Sequence, residues 1–290
     1  MNIDSNIVIS KPDKGNGMVV LNRADNVAKM HTILCDTSKF QPCNDDNNVA
    51  NLLKFQNCLR HLKGEKALNE DTYRQIHPTA AYTPTMYGLP KIYKPDMPLR
   101  PILSSIGSFS YDCAKWLSDS LSELRHHETC VKDTLTFLSL LQDRSLSGMI
   151  MTSFEVTSLF TNVPVDFTIN LNLDSVFRRS DEFNGLNRRR MKKLLEWVVK
   201  TTTFQFNGRF YRQVDGVAMD SPTASLMANV CMNYVIDQAL AVTPRECRPD
   251  LLCCYVDDLF LLFPDQDSLN SFFANINSVL RDSLYQGARN

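Results

Sequence analysis

Two adjacent carboxylates, Asp257 and Asp258, interrupt the otherwise apolar run from Leu251 through Cys254 and Tyr255 to Phe263. Each half is the length of a buried strand, and the acids are its only polar break. The pattern predicts a β-hairpin whose tip holds two acids with little water around them. Neighbouring acids in a dry place ionise together only at a cost, unless a cation sits between them. The same pair also suits an ordinary turn, because Asp side chains bond to nearby backbone. On this stretch alone a metal site and a plain turn both stand.

Other stretches carry charge of the right kind. Residues 149–156 form a predicted strand, with Met149, Met151, Ser153 and Glu155 on one face and Ile150, Thr152, Phe154 and Val156 on the other. An acid near the end of a buried strand needs a partner. The turn that follows, Ser158 to Pro164, has amides able to meet phosphate oxygens. Between residues 82 and 106 the prolines at 84, 90, 95, 98 and 101 forbid a helix. That extended segment carries Lys91, Lys94 and Arg100, which suit either an anion such as a triphosphate or solvent. Lys11-Pro12-Asp13-Lys14-Gly15-Asn16-Gly17 is a phosphate cradle or a hairpin turn, and it lacks the spacing of a phosphate loop. Arg188, Arg189, Arg190, Lys192 and Lys193 form the densest basic patch, fit for a nucleic-acid backbone or for a solvated helix face. His126-His127-x-x-Cys130 has two metal-ligating residue types, with no further ligands near it in sequence.

The elements that must position these groups follow from periodicity. Helical spacing runs through 24–34, 47–63 and 108–124. Residues 165–200 read as two helices parted at Asn184-Gly185. Asn207-Gly208 between aromatic runs predicts a hairpin with a type I′ turn. Ser221 reads as an N-cap and Pro222 as the first helical residue of a long helix. A last helix spans 267–282, ahead of a loose tail at 283–290.

The 290 residues are 43% hydrophobic, enough for a substantial core, and we expect two subdomains sharing a cleft. The net charge of -1 means that contact with nucleic acid must come from local patches. Nine cysteines without a CxxC pair fit a reducing compartment, not a disulfide framework. The apolar runs are short of a membrane span, so the expectation is a soluble intracellular protein, with nucleus or cytoplasm undecided and oligomeric state unknown.

Taken in order, YGLPKIYKP, RPILSSI, SFEVTSLFTNVP, DGVAMDSPTASLMANVCM and YVDD resemble reverse transcriptases, closest to the Penelope-like retroelement branch, which is related to telomerase reverse transcriptases. The resemblance covers roughly residues 8–280. It implies an α+β right-hand polymerase fold with fingers-like residues 1–148 and a palm over 149–282, the thumb missing. It implies RNA-directed DNA polymerisation by two Mg2+ or Mn2+ ions, with an RNA template, a DNA primer and dNTP as partners and no membrane. Glu155, Asp257 and Asp258 would be catalytic and, with the Val156 carbonyl, would hold the metals. Lys91, Arg100 and the Ser158 and Leu159 amides would bind the triphosphate. Phe160 would exclude the 2′-hydroxyl of a ribonucleotide, and Gly216, Met219 and Ser221 would lie along the incoming nucleotide. Two positions depart from the family pattern. Glu155 replaces an Asp and is one methylene longer, and Asp220 replaces a Gly and adds negative charge near a triphosphate. With the family's later palm motifs, thumb and GIY-YIG endonuclease domain also outside this sequence, the implied activity is weak or lost.

Overall fold

The computed structural model describes residues 5–286 apart from 81, 143 and 202, with the side chains beyond residue 279 left aside. The expected tail therefore lies outside the described residues from 287 on. In chain order the elements are β1 (Ile7–Ser10), β2 (Val19–Asn22), α1 (Arg23–Leu34), β3 (Phe40–Cys43), α2 (Asn48–Gly64) and α3 (Glu70–Ile76). Then come β4 (Met86–Pro90), β5 (Leu99–Leu103), α4 (Tyr111–Ser120), α5 (Thr134–Gln142), β6 (Ile150–Glu155), α6 (Leu159–Asn162) and α7 (Val165–Val176). The remainder is β7 (Glu182–Phe183), β8 (Leu186–Asn187), α8 (Arg188–Lys200), β9 (Thr203–Phe206), β10 (Arg209–Gln213), α9 (Ala224–Val242), β11 (Leu251–Tyr255), β12 (Asp258–Phe263) and α10 (Gln266–Gln286). Among the described residues no helix is long and apolar enough to cross a membrane.

Two compact units divide the chain. One comprises residues up to Leu117 with Asp181–Ala224, the other Ser118–Ser180 with residues from Ser225 on. The expected boundary at 148/149 falls inside the second unit.

In the first unit, Asn22 ends β2 and starts α1, its side chain accepting from the Ala24 and Asp25 amides at 2.8 and 3.2 Å. Met30 and Leu34 of α1 join Phe40, Met86, Leu99, Leu103, Phe204, Phe206 and Tyr211 in one buried cluster. Gly88 in β4 makes this possible, since a Cβ there would come within 2.8 Å of both Leu99 Cδ1 and Met30 Sδ. β3, β10 and β9 form a three-stranded sheet. Its β9–β10 turn has Asn207 at φ 46° and Gly208 at φ 78°, the two left-handed positions that a type I′ turn needs. Asn184 and Gly185 repeat that geometry at φ 49° and 81° between β7 and β8. The expected break between two helices is thus itself a small hairpin.

The second unit is built on a three-stranded antiparallel sheet in the order β11-β12-β6. One face of it buries Leu259, Leu261 and Phe263, with Phe263 packed on Phe272 and Phe154 on Phe273 of α10. Fully burying a Phe such as Phe263 or Phe272 contributes about 1.5–3 kcal/mol. The opposite face buries Leu251, Cys253 and Leu262 under Phe137 and Leu141 of α5.

Candidate functional site

Strand register decides where the acids go. β12 pairs antiparallel with both neighbours, so Asp258 sits opposite Glu155 of β6 on one side and Tyr255 of β11 on the other. Directly opposed residues share a face of the sheet, with Cβ atoms about 4.5–5.5 Å apart. The Val156 amide donates to the Asp257 carbonyl at 3.0 Å and carries the ladder past Glu155 into the turn. Val256 takes φ 58° in that turn, a left-handed conformation uncommon for a β-branched residue. Glu155, Val156, Asp257 and Asp258 are therefore gathered at one corner of one sheet.

The corner is wetter than the sequence predicts. Glu155 and Asp258 are exposed, Asp257 is half-buried, and Tyr255 is 58% exposed. Burial stops at Cys254 and resumes at Leu259, because the apolar halves are covered by helices and the tip extends past that cover. Alternation along β6 holds, with Met151, Ser153 and Glu155 outward, although the acid is met by water as well as by Asp258. Beside Asp258, on the same face, a cleft of about 680 Å³ is lined by Val131, Asp133, Phe137, Ser153, Tyr255 and Phe260.

Among the described residues no three His, Cys, Asp or Glu side chains converge as they stand into a metal-ligand cluster. The corner offers two facing carboxylates and a third on the adjoining turn. Such hard oxygen donors suit Mg2+, which is commonly held by one or two carboxylates together with substrate phosphates and water. The His126-His127-x-x-Cys130 stretch gathers no such set either. His127 contacts Asp237 Oδ1 at 3.0 Å and Thr129 Oγ1 at 2.7 Å through its two ring nitrogens.

After Glu155 the chain turns sharply. Ser158 takes φ 53°, Leu159 is buried and Phe160 is half-buried. The Thr161 hydroxyl donates to the Ser158 carbonyl at 3.0 Å and Asn162 Nδ2 to the Thr157 carbonyl at 3.2 Å, which fixes the turn's shape.

The remaining predicted residues belong to the first unit. The β4–β5 hairpin presents Lys91 and Arg100 at its loop end, where the Lys91 amide donates to the Pro98 carbonyl at 2.9 Å. Sequence reasoning missed the group that fixes this end. Asp13, with only 1% of its side chain exposed, accepts from Arg100 Nε at 3.0 Å and from the Tyr93 hydroxyl at 2.8 Å. Its amide donates to the Pro90 carbonyl at 3.0 Å, so the Lys11–Gly17 loop docks on the hairpin. An acid between two lysines in a tight turn was the available signal. Gly216 is buried at φ 73°, Met219 is half-buried and Asp220 is exposed, its carbonyl accepting from the Ser105 hydroxyl at 3.2 Å. Ser221 does not cap α9 as expected. Its hydroxyl pairs with that of Thr223 at 3.1 Å and the helix begins at Ala224, because a separate turn closed by the Ser221 amide on the Ala218 carbonyl comes first.

α8 buries Met191, Leu194, Leu195, Val198 and Val199 and turns its cations outward. Arg188, Arg189 and Lys193 are exposed, and Lys192 is half-buried. Arg190 pairs with Glu65 at 2.9 Å. Cations in a first helical turn oppose the helix dipole, so helix stability does not account for them.

The sequence matches no protein-family model and no curated protein. Solved structures do share the fold. Apo telomerase from Candida tropicalis, truncated from its C-terminal domain, aligns at a TM-score of 0.60 with 10% identity over 93% of this chain and 55% of that one. Telomerase from Candida albicans in complex with the TWJ fragment of telomeric RNA aligns at 0.63 with 9% identity, over 93% and 47%. Apo telomerase from Candida tropicalis gives 0.62 and 10%, over 96% and 51%. The chain thus has a mixed α/β, telomerase-like fold, and it spans about half the length of those chains.

Proposed function

We propose that the protein is the fingers and palm of a Penelope-like reverse transcriptase, an RNA-directed DNA polymerase that extends a DNA primer on an RNA template. The observation that carries this reading is the register that sets Glu155 opposite Asp258 with Asp257 in the adjoining turn. Glu155, Asp257, Asp258 and the Val156 carbonyl would hold Mg2+ or Mn2+. Such ions, when bound, supply Lewis-acid activation of the primer 3′-hydroxyl and neutralise the leaving pyrophosphate. Arg100, held by Asp13, would offer its remaining guanidinium edge to the triphosphate, and Lys91 would add a point charge. The Ser158 and Leu159 amides would contact the same phosphates. Phe160 would crowd a ribose 2′-hydroxyl and so favour dNTP, while Gly216, Met219 and Ser221 would line the nucleotide. The cations of α8 would follow the backbone of the template–primer.

A second reading, a polymerase-like nucleic-acid binder without catalysis, is favoured by the longer Glu155, by Asp220 and by the lack of a converged three-acid cluster among the described residues. Primer extension separates the two. The polymerase reading predicts divalent-dependent incorporation that falls more than about a hundredfold in Asp257→Asn, since even groups that only support a metal ligand cost about 10–100-fold when lost. Binding of template–primer without incorporation, in the wild type and in Glu155→Asp/Asp220→Gly alike, would establish the binder instead.

A further inference from the structure

The Asp-Asp hairpin has a thiol pair at its base that the polymerase reading does not use. Cys254, the penultimate residue of β11, is bridged in parallel fashion to Cys130, with the Cys254 amide donating to the Thr129 carbonyl at 2.8 Å and the Val131 amide to the Cys254 carbonyl at 3.0 Å. Neighbouring strands run about 4.8 Å apart, inside the roughly 4.4–6.8 Å between Cα atoms that a disulfide spans. Both residues are free thiols: that of Cys130 lies 3.9 Å from the Arg125 carbonyl and from Asn233 Oδ1, and that of Cys254 donates to the Val256 carbonyl at 3.8 Å. Their exposure differs, since Cys254 is buried at 3% and Cys130 is half-buried. Cys130 is thus the sulfur of the pair that solvent, and with it a small oxidant, reaches.

We propose that Cys130 and Cys254 are a peroxide-responsive thiol pair, with Cys130 the attacking sulfur and Cys254 the resolving one. Cys254 beside it, with His127 and His126 nearby, holds the Cys130 thiol below the ordinary thiol range. That shift favours the thiolate, the nucleophilic form. The thiolate attacks one oxygen of hydrogen peroxide, breaking the O–O bond, and becomes a sulfenic acid as hydroxide leaves and takes up a proton. The Cys254 sulfur then displaces the sulfenic hydroxyl, which departs as water with the Cys254 proton. Two thiols and one peroxide give one disulfide and two waters. The closed bridge ties residues 129–131 to the strand that ends in the catalytic turn.

The test needs no polymerase activity, so its outcome is independent of the preceding reading. Reduced full-length protein is exposed to stoichiometric hydrogen peroxide, quenched with N-ethylmaleimide and mapped by mass spectrometry. Two of the nine cysteines should be lost to labelling, with a dithiothreitol-reversible Cys130–Cys254 peptide that is absent in Cys130→Ser. Cys254→Ser should accumulate a dimedone-trapped sulfenic acid at Cys130. A measurement on the unmutated protein guards against misfolded variants, namely iodoacetamide labelling of reduced protein against pH. Cys130 labelling should rise and level off at a pH below the ordinary thiol range. Oxidation of Cys35 ahead of Cys130, a Cys130 labelling midpoint in that ordinary range, or a sulfenic acid at Cys130 that persists in wild type without a linked peptide would each overturn the proposal.

Discussion

Glu155 and Asp13 each set the position of a functional group by the length or reach of one side chain. Glu155 shares a sheet face with Asp258 but carries an extra methylene relative to the aspartate of the family it resembles. That moves its carboxylate by roughly 1 Å, a displacement able to cost about a hundredfold in rate. Glu155→Asp should therefore raise single-nucleotide incorporation by up to about a hundredfold in rapid-quench measurements, and an unchanged or slower rate would contradict its assignment as a metal ligand. Asp13 supports Arg100 and Tyr93 from a position with 1% of its side chain exposed. Asp13→Ala leaves Arg100 without that partner and should cost about 1–3 kcal/mol. The loss should fall toward the lower end because Arg100 keeps 32% of its side chain exposed. Urea denaturation should show a lower midpoint at unchanged slope, and dNTP binding should weaken in parallel.

At the scale of the element, the turn of the Asp-Asp hairpin holds stored strain. Val256 at φ 58° costs of order 1–3 kcal/mol relative to relaxed backbone, whereas glycine adopts that region freely and loses roughly 0.5–1 kcal/mol in chain entropy. Val256→Gly should therefore stabilise the protein by roughly 1 kcal/mol, read as a rise in the denaturation midpoint, and a clear loss of stability would show that the valine's packing outweighs its backbone. The hairpins were legible because Asn-Gly and the apolar halves around Asp257 state the turn locally. The β7–β8 hairpin carried the same Asn-Gly signal, but its two-residue strands left nothing to alternate, so it read as a break between helices. α5 was missed because Thr134–Gln142 has apolar residues all round and no polar face, with Leu135 and Leu138 78% and 52% exposed. The dryness expected at the tip failed for a related reason. Composition reports how apolar a strand is and says nothing of where its covering helix stops. The pairing of Glu155 with Asp258 joins distant parts of the chain, and no local periodicity encodes it; the order of the motifs anticipated it only through their resemblance to a family.

For the molecule as a whole, a net charge of -1 leaves the proposed nucleic-acid binding to patches, and α8 is the densest of them. Each phosphate contact contributes about 0.7–0.9 to the slope of log affinity against log salt. Arg189→Ala with Lys192→Ala should reduce that slope by roughly 1.4–1.8 in anisotropy titrations of an RNA–DNA hybrid, and an identical slope would assign α8 to solvent. Telomerase-like architecture at 9–10% identity shows how much sequence the fold tolerates, so the central claim rests on the carboxylate corner and not on the likeness. Electron paramagnetic resonance of Mn2+ in the presence of dNTP and template–primer examines that corner most directly. Bound Mn2+ in the wild type, with affinity at least about tenfold weaker in Asp258→Asn, is the predicted result; equal Mn2+ binding by the two proteins, or none by either, would contradict it.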